Sequence, residues 1–546
     1  MLLLSFVLFG AFELHIPPRP SFTIGTSRKQ QQSFRPTLDS LPEDLIRLIA
    51  ARVVDVTPIK YGKVWGEEQN EQLPLLPLSV TCKHLRACLK SLIFKTVHNW
   101  NIDGKTGSEG SLSDDEQLCR TVHMRDHAIR HEHVLEVDDG VYEGLAQMPA
   151  LQRVVMRYKV SLPPAALQCL PRIRHLTSLE IYQARLDGPV LPPLEFPLLE
   201  KLLLIIAGFR GVIRAPEIDK IVERANVGRL LRSVSGRLSH LHVSGDLLPD
   251  DFGDIRWQQL QKLVVSEHSP ATYLLVPALT ARMPTLRALH ILYAADMSRP
   301  ADELHPPFVY GDPDGKLLVE TVPHLTSLSL SNLTEDDPVF SQLPASLTAL
   351  HLHAWRDPYY GRRDRLDIRG ETALTNASAM AIVLNHLSNL THLLEFTVVL
   401  NEFPAAPLLE AIATTFPSLV YLEISHATYG YPRERREELE DARDPTIIAP
   451  LARLHHLRTL RITLNMLRNR FDRQVPILPI LCWLFDGIPS LETAQFSWFT
   501  HFSWVPARDP EWRGWNSYDR AYMIRELAKP PPPRRILKPL REIDSD

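Results

Sequence analysis

The chain has 546 residues, of which 45% are hydrophobic and 23% are charged, a balance typical of a folded protein in water. Its net charge of -4 and pI near 6.6 exclude the global positive charge that drives nonspecific binding to nucleic acid. Five scattered cysteines without a Cys-x-x-Cys pair argue against a disulfide framework or a structural zinc site. We therefore expect a reducing compartment, the cytoplasm or the nucleus.

The first 37 residues predict a flexible segment. Met1 to Phe12 is apolar but too short to span a bilayer, has no preceding basic residue and offers a poor cleavage site. We favour a tail or a misplaced start over a secretory signal, and we expect no membrane association. If the chain were instead a secreted receptor, three N-glycosylation sequons would matter, at Asn332, Asn376 and Asn389.

Residues 38–98 predict a small helical domain. Asp39 or Ser40 can cap a helix that has Pro42 in its first turn. An aliphatic stripe at helical spacing follows, formed by Leu45, Ile46, Leu48 and Ile49. After a polar loop, residues 78–94 show a second helical pattern.

This segment resembles an F-box, the helical module that attaches a substrate receptor to a cullin–RING ubiquitin ligase through the Skp adaptor. The Leu-Pro pair, the aliphatic stripe and the run from Ser79 to Arg86 stand where the family has them. The resemblance implies that the adaptor is bound by Leu41, Pro42, Leu45, Ile46 and Leu78. The alternative is an ordinary helical hairpin at the start of the chain.

Residues 99–118 are small, polar and acidic, and they predict a linker or loop. Beyond it, Cys119, His123 and His127 would align on a helix at four-residue steps, a geometry able to bind zinc. Residues 134–137 instead indicate a strand, so we favour surface histidines. We expect no metal and no cofactor.

A Leu-x-x-Leu-x-apolar core recurs along residues 119–506. Clear copies begin at Leu176, Leu238, Leu260, Leu286, Leu325, Leu347, Leu419 and Leu457, and weaker ones near Leu151, Leu199, Leu390 and Leu491. Their spacing of about 22 to 43 residues resembles a degenerate leucine-rich-repeat array. Each unit supplies one short strand that cannot bury its leucines alone, so we predict an α/β solenoid with parallel strands on its concave face. The alternative is an unrelated α/β domain with leucine-rich strands.

Strand alternation predicts which side chains leave the leucine core and face the concave side. A protein target is expected to bind there, although the sequence does not say which protein. The candidate residues are Glu180, Tyr182, His242, His290, His351, His353, Glu423 and Arg461.

Residues 507–546 predict a capping helix, from Glu511 to Lys529, and a proline-rich tail. No constellation in the sequence pairs a nucleophile with a base, so we expect no enzyme. The F-box resemblance implies the substrate-recognition subunit of an SCF-type (Skp adaptor–cullin–F-box) ubiquitin ligase. The alternative is a leucine-rich-repeat scaffold without ubiquitin-ligase association.

Overall fold

A computed structural model describes the repeat region and its C-terminal end. The described residues are 96–98, 120–125, 139–157, 162, 164–182, 185–188, 194–205, 220–267, 275–293, 310, 317–333, 335–353, 377–400, 406–426, 445–464, 477–498 and 516–527. The predicted F-box-like helices and their adaptor-binding residues Leu41, Pro42, Leu45, Ile46 and Leu78 lie outside them.

One sheet runs through the described part of the chain, and its strand order is the chain order. The strands are β1 (Thr96–His98), β2 (Thr121–Arg125), β3 (Arg153–Arg157), β4 (Ser178–Tyr182), β5 (Lys201–Ile205), β6 (His240–Ser244), β7 (Lys262–Glu267), β8 (Ala288–Tyr293), β9 (Ser327–Ser331), β10 (Ala349–His353), β11 (Glu395–Leu400), β12 (Tyr421–His426), β13 (Thr459–Leu464), β14 (Thr493–Trp498) and β15 (Asn516–Asp519). Strands β1 to β14 pair in parallel, and β15 closes the sheet in the antiparallel sense.

Short helices connect most of the strands, as parallel neighbours require. The α-helices are α1 (Asp139–Gln147), α2 (Pro164–Cys169), α3 (Lys220–Val234), α4 (Val276–Thr280), α5 (Leu318–Thr321), α6 (Ala377–His386), α7 (Ala406–Thr415), α8 (Ile477–Gly487) and α9 (Arg520–Leu527). Single 3₁₀ turns or longer 3₁₀ stretches occupy Leu170–Arg172, Gly245–Leu247, Phe252–Asp254, Pro338–Gln342 and Pro445–Arg453. Among the described residues, none of these helices has both the length and the apolar character to cross a bilayer.

The leucine motif forms the core because its three apolar positions fall on one side of the strand. The first leucine of each copy is at most 3% exposed, and so are the apolar residues three and five positions later in β4, where they are Leu179 and Ile181. Side chains of the helices, such as Leu231, Leu384, Leu409 and Leu484, belong to the same continuous cluster. Each repeat therefore buries its leucines against its neighbours and its helix, as the solenoid prediction requires.

Repeats are locked in register where each strand begins. The carbonyl oxygen of Arg287 accepts the amides of both Thr326 and Ser327, at 2.8 and 3.0 Å, and equivalent bonds recur from β3 to β14. The Thr326 hydroxyl donates to the same oxygen at 3.1 Å. Thr177, Ser239 and Thr348, which also follow the first leucine of their motif, donate in the same way to the equivalent carbonyl oxygens.

The predicted leucine-rich-repeat-like fold is confirmed, and the twelve copies of the motif correspond to strands β3 to β14. The copy placed near Leu390 begins at Leu393, which precedes Phe396 and Val398 of β11. The sheet also begins earlier than position 119, because β1 occupies the end of the segment predicted to be F-box-like. At the other end, the predicted helix is shorter, since β15 precedes α9.

The helical zinc geometry is not formed. His123 lies on β2 and pairs with His98 and Val155 in the sheet, so the four-residue steps do not align along one helix face. Cys119 and His127 lie outside the described residues. In the part of the chain that the structure describes, no group of three histidine, cysteine or acidic side chains could hold a metal ion.

Candidate partner-binding face

The predicted target-binding residues belong to the polar face of the sheet, which is the face opposite the leucine core. Because the strands are in register, this face consists of rows that cross the sheet. Six of the eight candidates share the middle row, which runs Val155, Glu180, Leu203, His242, Val264, His290, Ser329, His351, Thr397, Glu423, Arg461 and Gln495. Tyr182 and His353 lie two residues further along their strands, in what we call the last row.

Two residues before the middle row, at the strand starts, lies a first row. It runs Arg153, Ser178, Lys201, His240, Lys262, Ala288, Ser327, Ala349, Glu395, Tyr421, Thr459 and Thr493. His240, Lys262 and Glu395 are exposed, whereas last-row residues such as Ser244 and Ser331 are fully buried. The exposed residues of the polar face therefore lie in the first row, whereas the last row combines buried serines with the half-buried Tyr182 and His353.

Sequence reasoning missed the first row although a signal for it was present. Its residues immediately precede the second leucine of each Leu-x-x-Leu motif, so the same two-residue alternation places them on the polar face. The earlier choice considered only the positions after that leucine. The charged or titratable residues of the first row are Arg153, Lys201, His240, Lys262, Glu395 and Tyr421.

Glu180 corrects the expectation that it is exposed, because its side chain is only 1% exposed. Arg153 donates to both carboxylate oxygens, Nε to Oε1 and Nη2 to Oε2, at 3.0 Å each. Lys201 Nζ donates to Oε1 at 3.1 Å, and the Tyr182 hydroxyl donates to Oε2 at 3.1 Å. Burial alone would raise the pKa of Glu180, but these charged donors outweigh it and lower the pKa below its ordinary value.

Three histidines of the middle row pair with hydroxyls on the following strands. His242 Nε2 lies 2.7 Å from Ser266 Oγ, His290 Nδ1 lies 2.6 Å from Ser329 Oγ, and His351 Nδ1 lies 2.9 Å from Thr397 Oγ1. These pairs are half-buried and bridge β6–β7, β8–β9 and β10–β11. The His351 and His353 rings stack at 6.2 Å, which links the middle row to the last.

Burial keeps these histidines neutral. Desolvation, with help from Lys262 and Lys201, lowers the pKa of His242 to about 4. Desolvation and Lys262 lower the pKa of His290 to about 3, and desolvation also lowers the pKa of His351. At neutral pH the centre of the polar face therefore offers uncharged imidazoles rather than cations.

The β12–β13 end of the face carries a second carboxylate. The Tyr421 hydroxyl donates to Glu423 Oε2 at 2.6 Å, and Arg461 Nη1 donates to the same oxygen at 3.4 Å. The Arg461 guanidinium also lies 5.5 Å from the centre of the Tyr421 ring. Burial, followed by the charge of Glu423, raises the pKa of Tyr421 well above its ordinary value.

Each histidine–hydroxyl pair combines a possible base, the imidazole, with a possible nucleophile, the hydroxyl. The sequence alone did not show that these groups are in contact. Ser266 and Ser329 are buried, however, with 5% and 2% exposure. A base with a pKa near 3 or 4 would accept a proton poorly at neutral pH. The pairs therefore have the properties of cross-strand hydrogen bonds that fix the face.

The sequon at Asn332 lies within the described residues and is poorly placed for glycosylation. Asn332 is 6% exposed and has a left-handed backbone with φ of 56°. The backbone N–H of Asn332 donates to the carbonyl oxygen of His353 at 2.9 Å. Asn389 is exposed, and Asn376 lies outside the described residues.

No protein-family model and no curated protein sequence matches this chain. Similar solved structures include the TLR13–ssRNA13 complex, with 17% identity, a TM-score of 0.35, and coverage of 70% of this chain and 44% of that one. A chain of the Rad7–Elc1 complex from yeast has 14% identity and a TM-score of 0.35, covering 80% of this chain and 91% of that one. The leucine-rich repeat-containing protein LegL7 from Legionella pneumophila has 12% identity and a TM-score of 0.34, covering 74% and 97%. Similarity at this level supports no argument about fold or function. The repeat fold of this chain is therefore established from its own sheet.

Proposed function

We propose that this chain is the substrate-recognition subunit of an SCF-type E3 ubiquitin ligase. The polar face of the repeat sheet holds a protein target, and the F-box-like residues 38–98 bind the Skp adaptor and, through it, the cullin–RING ligase. The chain itself is non-catalytic in this proposal and acts by bringing target and ligase together.

The observation that carries target binding is the ordered polar face. It crosses neighbouring parallel strands without interruption, and hydrogen bonds between Glu180 and Arg153, and between His290 and Ser329, hold its side chains in place before any partner arrives. Binding then costs less side-chain entropy than it would on a mobile surface. Leucine-rich-repeat folds commonly bind protein partners on such stacked strands.

The adaptor half of the proposal is supported by the sequence pattern of residues 38–98. Its aliphatic stripe follows a Leu-Pro pair, as in the F-box family, and it precedes a repeat array that presents a separate binding face. A substrate receptor needs these two parts, a module that binds the ligase and a separate face that binds the target.

The proposal is tested by purifying the tagged full-length chain together with its cellular partners. Leu41→Glu combined with Pro42→Glu should abolish recovery of the Skp adaptor and the cullin, because charges would replace the expected apolar contact. Lys262→Ser is the control: this exposed side chain lies on the polar face and should leave adaptor recovery unchanged. Circular dichroism checks that both variants retain the repeat fold.

Adaptor recovery that is unchanged in the Leu41 and Pro42 variant would contradict the docking assignment. Absence of adaptor and cullin even from the unaltered chain would contradict the ligase role. In that second case the remaining function is the scaffold alternative, in which the polar face binds protein partners without ubiquitin transfer.

A further inference from the structure

The first row carries cations on its N-terminal strands and a carboxylate, without cations, on its C-terminal strands. On β3 to β7 it carries Arg153, Lys201 and Lys262, with the titratable His240 between the two lysines. On β11 to β13 it carries Glu395, Tyr421 and Thr459 in place of these cations. We call the β3–β7 part of the polar face the basic half.

Within the basic half, Glu180 is the carboxylate that Arg153 and Lys201 contact, and both of its oxygens are already engaged. Both its oxygens accept donors from Arg153, while Lys201 and Tyr182 complete its contacts at 3.1 Å. Arg153 and Lys201 thus share one buried negative charge, and 44% of the Lys201 side chain remains exposed. Lys262, two strands further on, is exposed and makes no ion pair within the described part of the chain.

The positive field of this half reaches its neighbours. Desolvation is the main cause of the lowered pKa of His240, His242 and His290. Lys262 lowers the pKa further at all three and Lys201 at His240 and His242, while Glu200 and Glu180 act in the opposite direction at His240 and His242 respectively. Only the part contributed by the lysines reflects a positive local potential, and that part favours an anion. The basic half itself is defined by the positions of Lys201 and Lys262 on the sheet, with which these pKa shifts agree.

We infer that the basic half is the anchoring site for an acidic, extended segment of the target protein. The inference rests on the proposed function in that it assigns a chemical class to the target. Aspartate or glutamate side chains of the segment bind Lys262 and the outward-facing part of Lys201. His240 and the half-buried His242 add hydrogen-bonding groups beside them.

Charge complementarity favours an acidic protein segment over nucleic acid. A polyanion long enough to cross the whole face would meet Glu395 and Glu423 beyond the histidines, and these carboxylates would repel it. A protein segment can be acidic over β3 to β7 and neutral or basic beyond. The same asymmetry fixes the direction in which the target lies across the strands.

A binding titration on the purified full-length chain tests the inference. The probe is a fluorescein-labelled peptide of alternating glutamate and serine, about ten residues long, which spans five strands spaced about 4.8 Å apart. Fluorescence anisotropy should show saturable binding that weakens as salt is added. A lysine–serine peptide of equal length and a single-stranded oligouridylate serve as competing ligands.

Lys262→Glu should weaken binding of the acidic peptide roughly fivefold or more, and adding Lys201→Ser should weaken it further. Lys262→Arg should retain binding, which shows that charge rather than fold is responsible. The matched control is Lys220→Ser with Arg229→Ser, which removes two exposed cations from helix α3 instead of the sheet.

Three outcomes would overturn the inference: no binding of the acidic peptide, equal loss in the α3 control, or tighter binding of the oligouridylate. None of them depends on the adaptor. If the peptide result holds but adaptor and cullin are not recovered, the ligase proposal fails and the basic half stands. If adaptor recovery holds but the peptide does not bind, only the basic half is disproved.

Discussion

The two carboxylate clusters of the polar face occupy the same position in the repeat and behave differently. Glu180 is buried and receives four hydrogen bonds from Arg153, Lys201 and Tyr182. Glu423 is half-buried, and its described contacts are the hydroxyl of Tyr421 and one nitrogen of Arg461, the latter at 3.4 Å. The difference comes from the neighbouring strands, because the flanking first-row residues are cations beside Glu180 but not beside Glu423.

Position in a repeat therefore decides which face a side chain occupies, while its neighbours decide how strongly it is held. The Glu180 cluster has the rigidity of a structural support, because Arg153 and Lys201 hold the carboxylate from the two neighbouring strands. The Glu423 cluster is looser and more accessible, and the neutral histidines lie between the two.

The largest effect is expected from the histidines that separate the clusters. In the folded chain His242 and His290 remain neutral down to pH values of about 4 and 3, whereas in the unfolded chain they take up protons near pH 6.5. The free energy of unfolding should therefore be unaffected by them above pH 6.5 and fall as the pH drops from 6.5 to 4, by about 1.4 kcal/mol per pH unit for each histidine. Urea unfolding at several pH values measures this change.

Replacing both histidines, His242→Gln and His290→Gln, should flatten the pH dependence between 6.5 and 4. Glutamine keeps hydrogen-bonding groups for Ser266 and Ser329 but does not titrate. An unchanged slope in this double variant would show that other groups cause the loss of stability.

The next effect separates the two clusters directly. Glu180→Ala removes the carboxylate that neutralises Arg153 and Lys201, and it should lower the free energy of unfolding by about 1–3 kcal/mol. Glu423→Ala should lower it by about 1 kcal/mol or less, because its pairs are more exposed and fewer. Denaturant midpoints of the two variants test the ranking, and equal losses would contradict the distinction between the clusters.

The smallest effect concerns Tyr421. Burial and the adjacent Glu423 raise the pKa of its phenol, so one tyrosine should ionise at a pH above the ordinary range when absorbance is followed into alkali. Glu423→Gln should bring this ionisation back towards its ordinary pKa. Tyr421→Phe should remove the late step while changing stability by about 1 kcal/mol or less.

The repeat architecture could be predicted from the sequence because leucine spacing reports directly on burial. The pattern at Leu325, Leu328 and Leu330 predicts a strand with one buried face, and all three residues are at most 1% exposed in the structure. Strand β2 was missed because it has no copy of the leucine motif, and helical spacing of its histidine suggested another structure. Strand β15 was missed because it joins the sheet by antiparallel pairing with β14, which depends on a distant segment.

The composition of the polar face could be predicted only in part. Alternation along each strand identified His242, His290 and His351, but not their partners Ser266, Ser329 and Thr397, which lie 24 to 46 residues away in the chain. It also gave no means of predicting that Lys262 in the first row is exposed while Ser244 and Ser331 in the last row are buried.

The sequence by itself determined the parallel stack of leucine-cored strands and which residues face away from that core. Both follow from a local rule, the two-residue period of a strand and the need to bury leucine. Only the tertiary structure decided the charge and exposure of the outer face, because these depend on which side chains adjacent strands place beside one another. Glu180 is buried and Lys262 is exposed for that reason, and the local sequence of neither repeat predicts the difference.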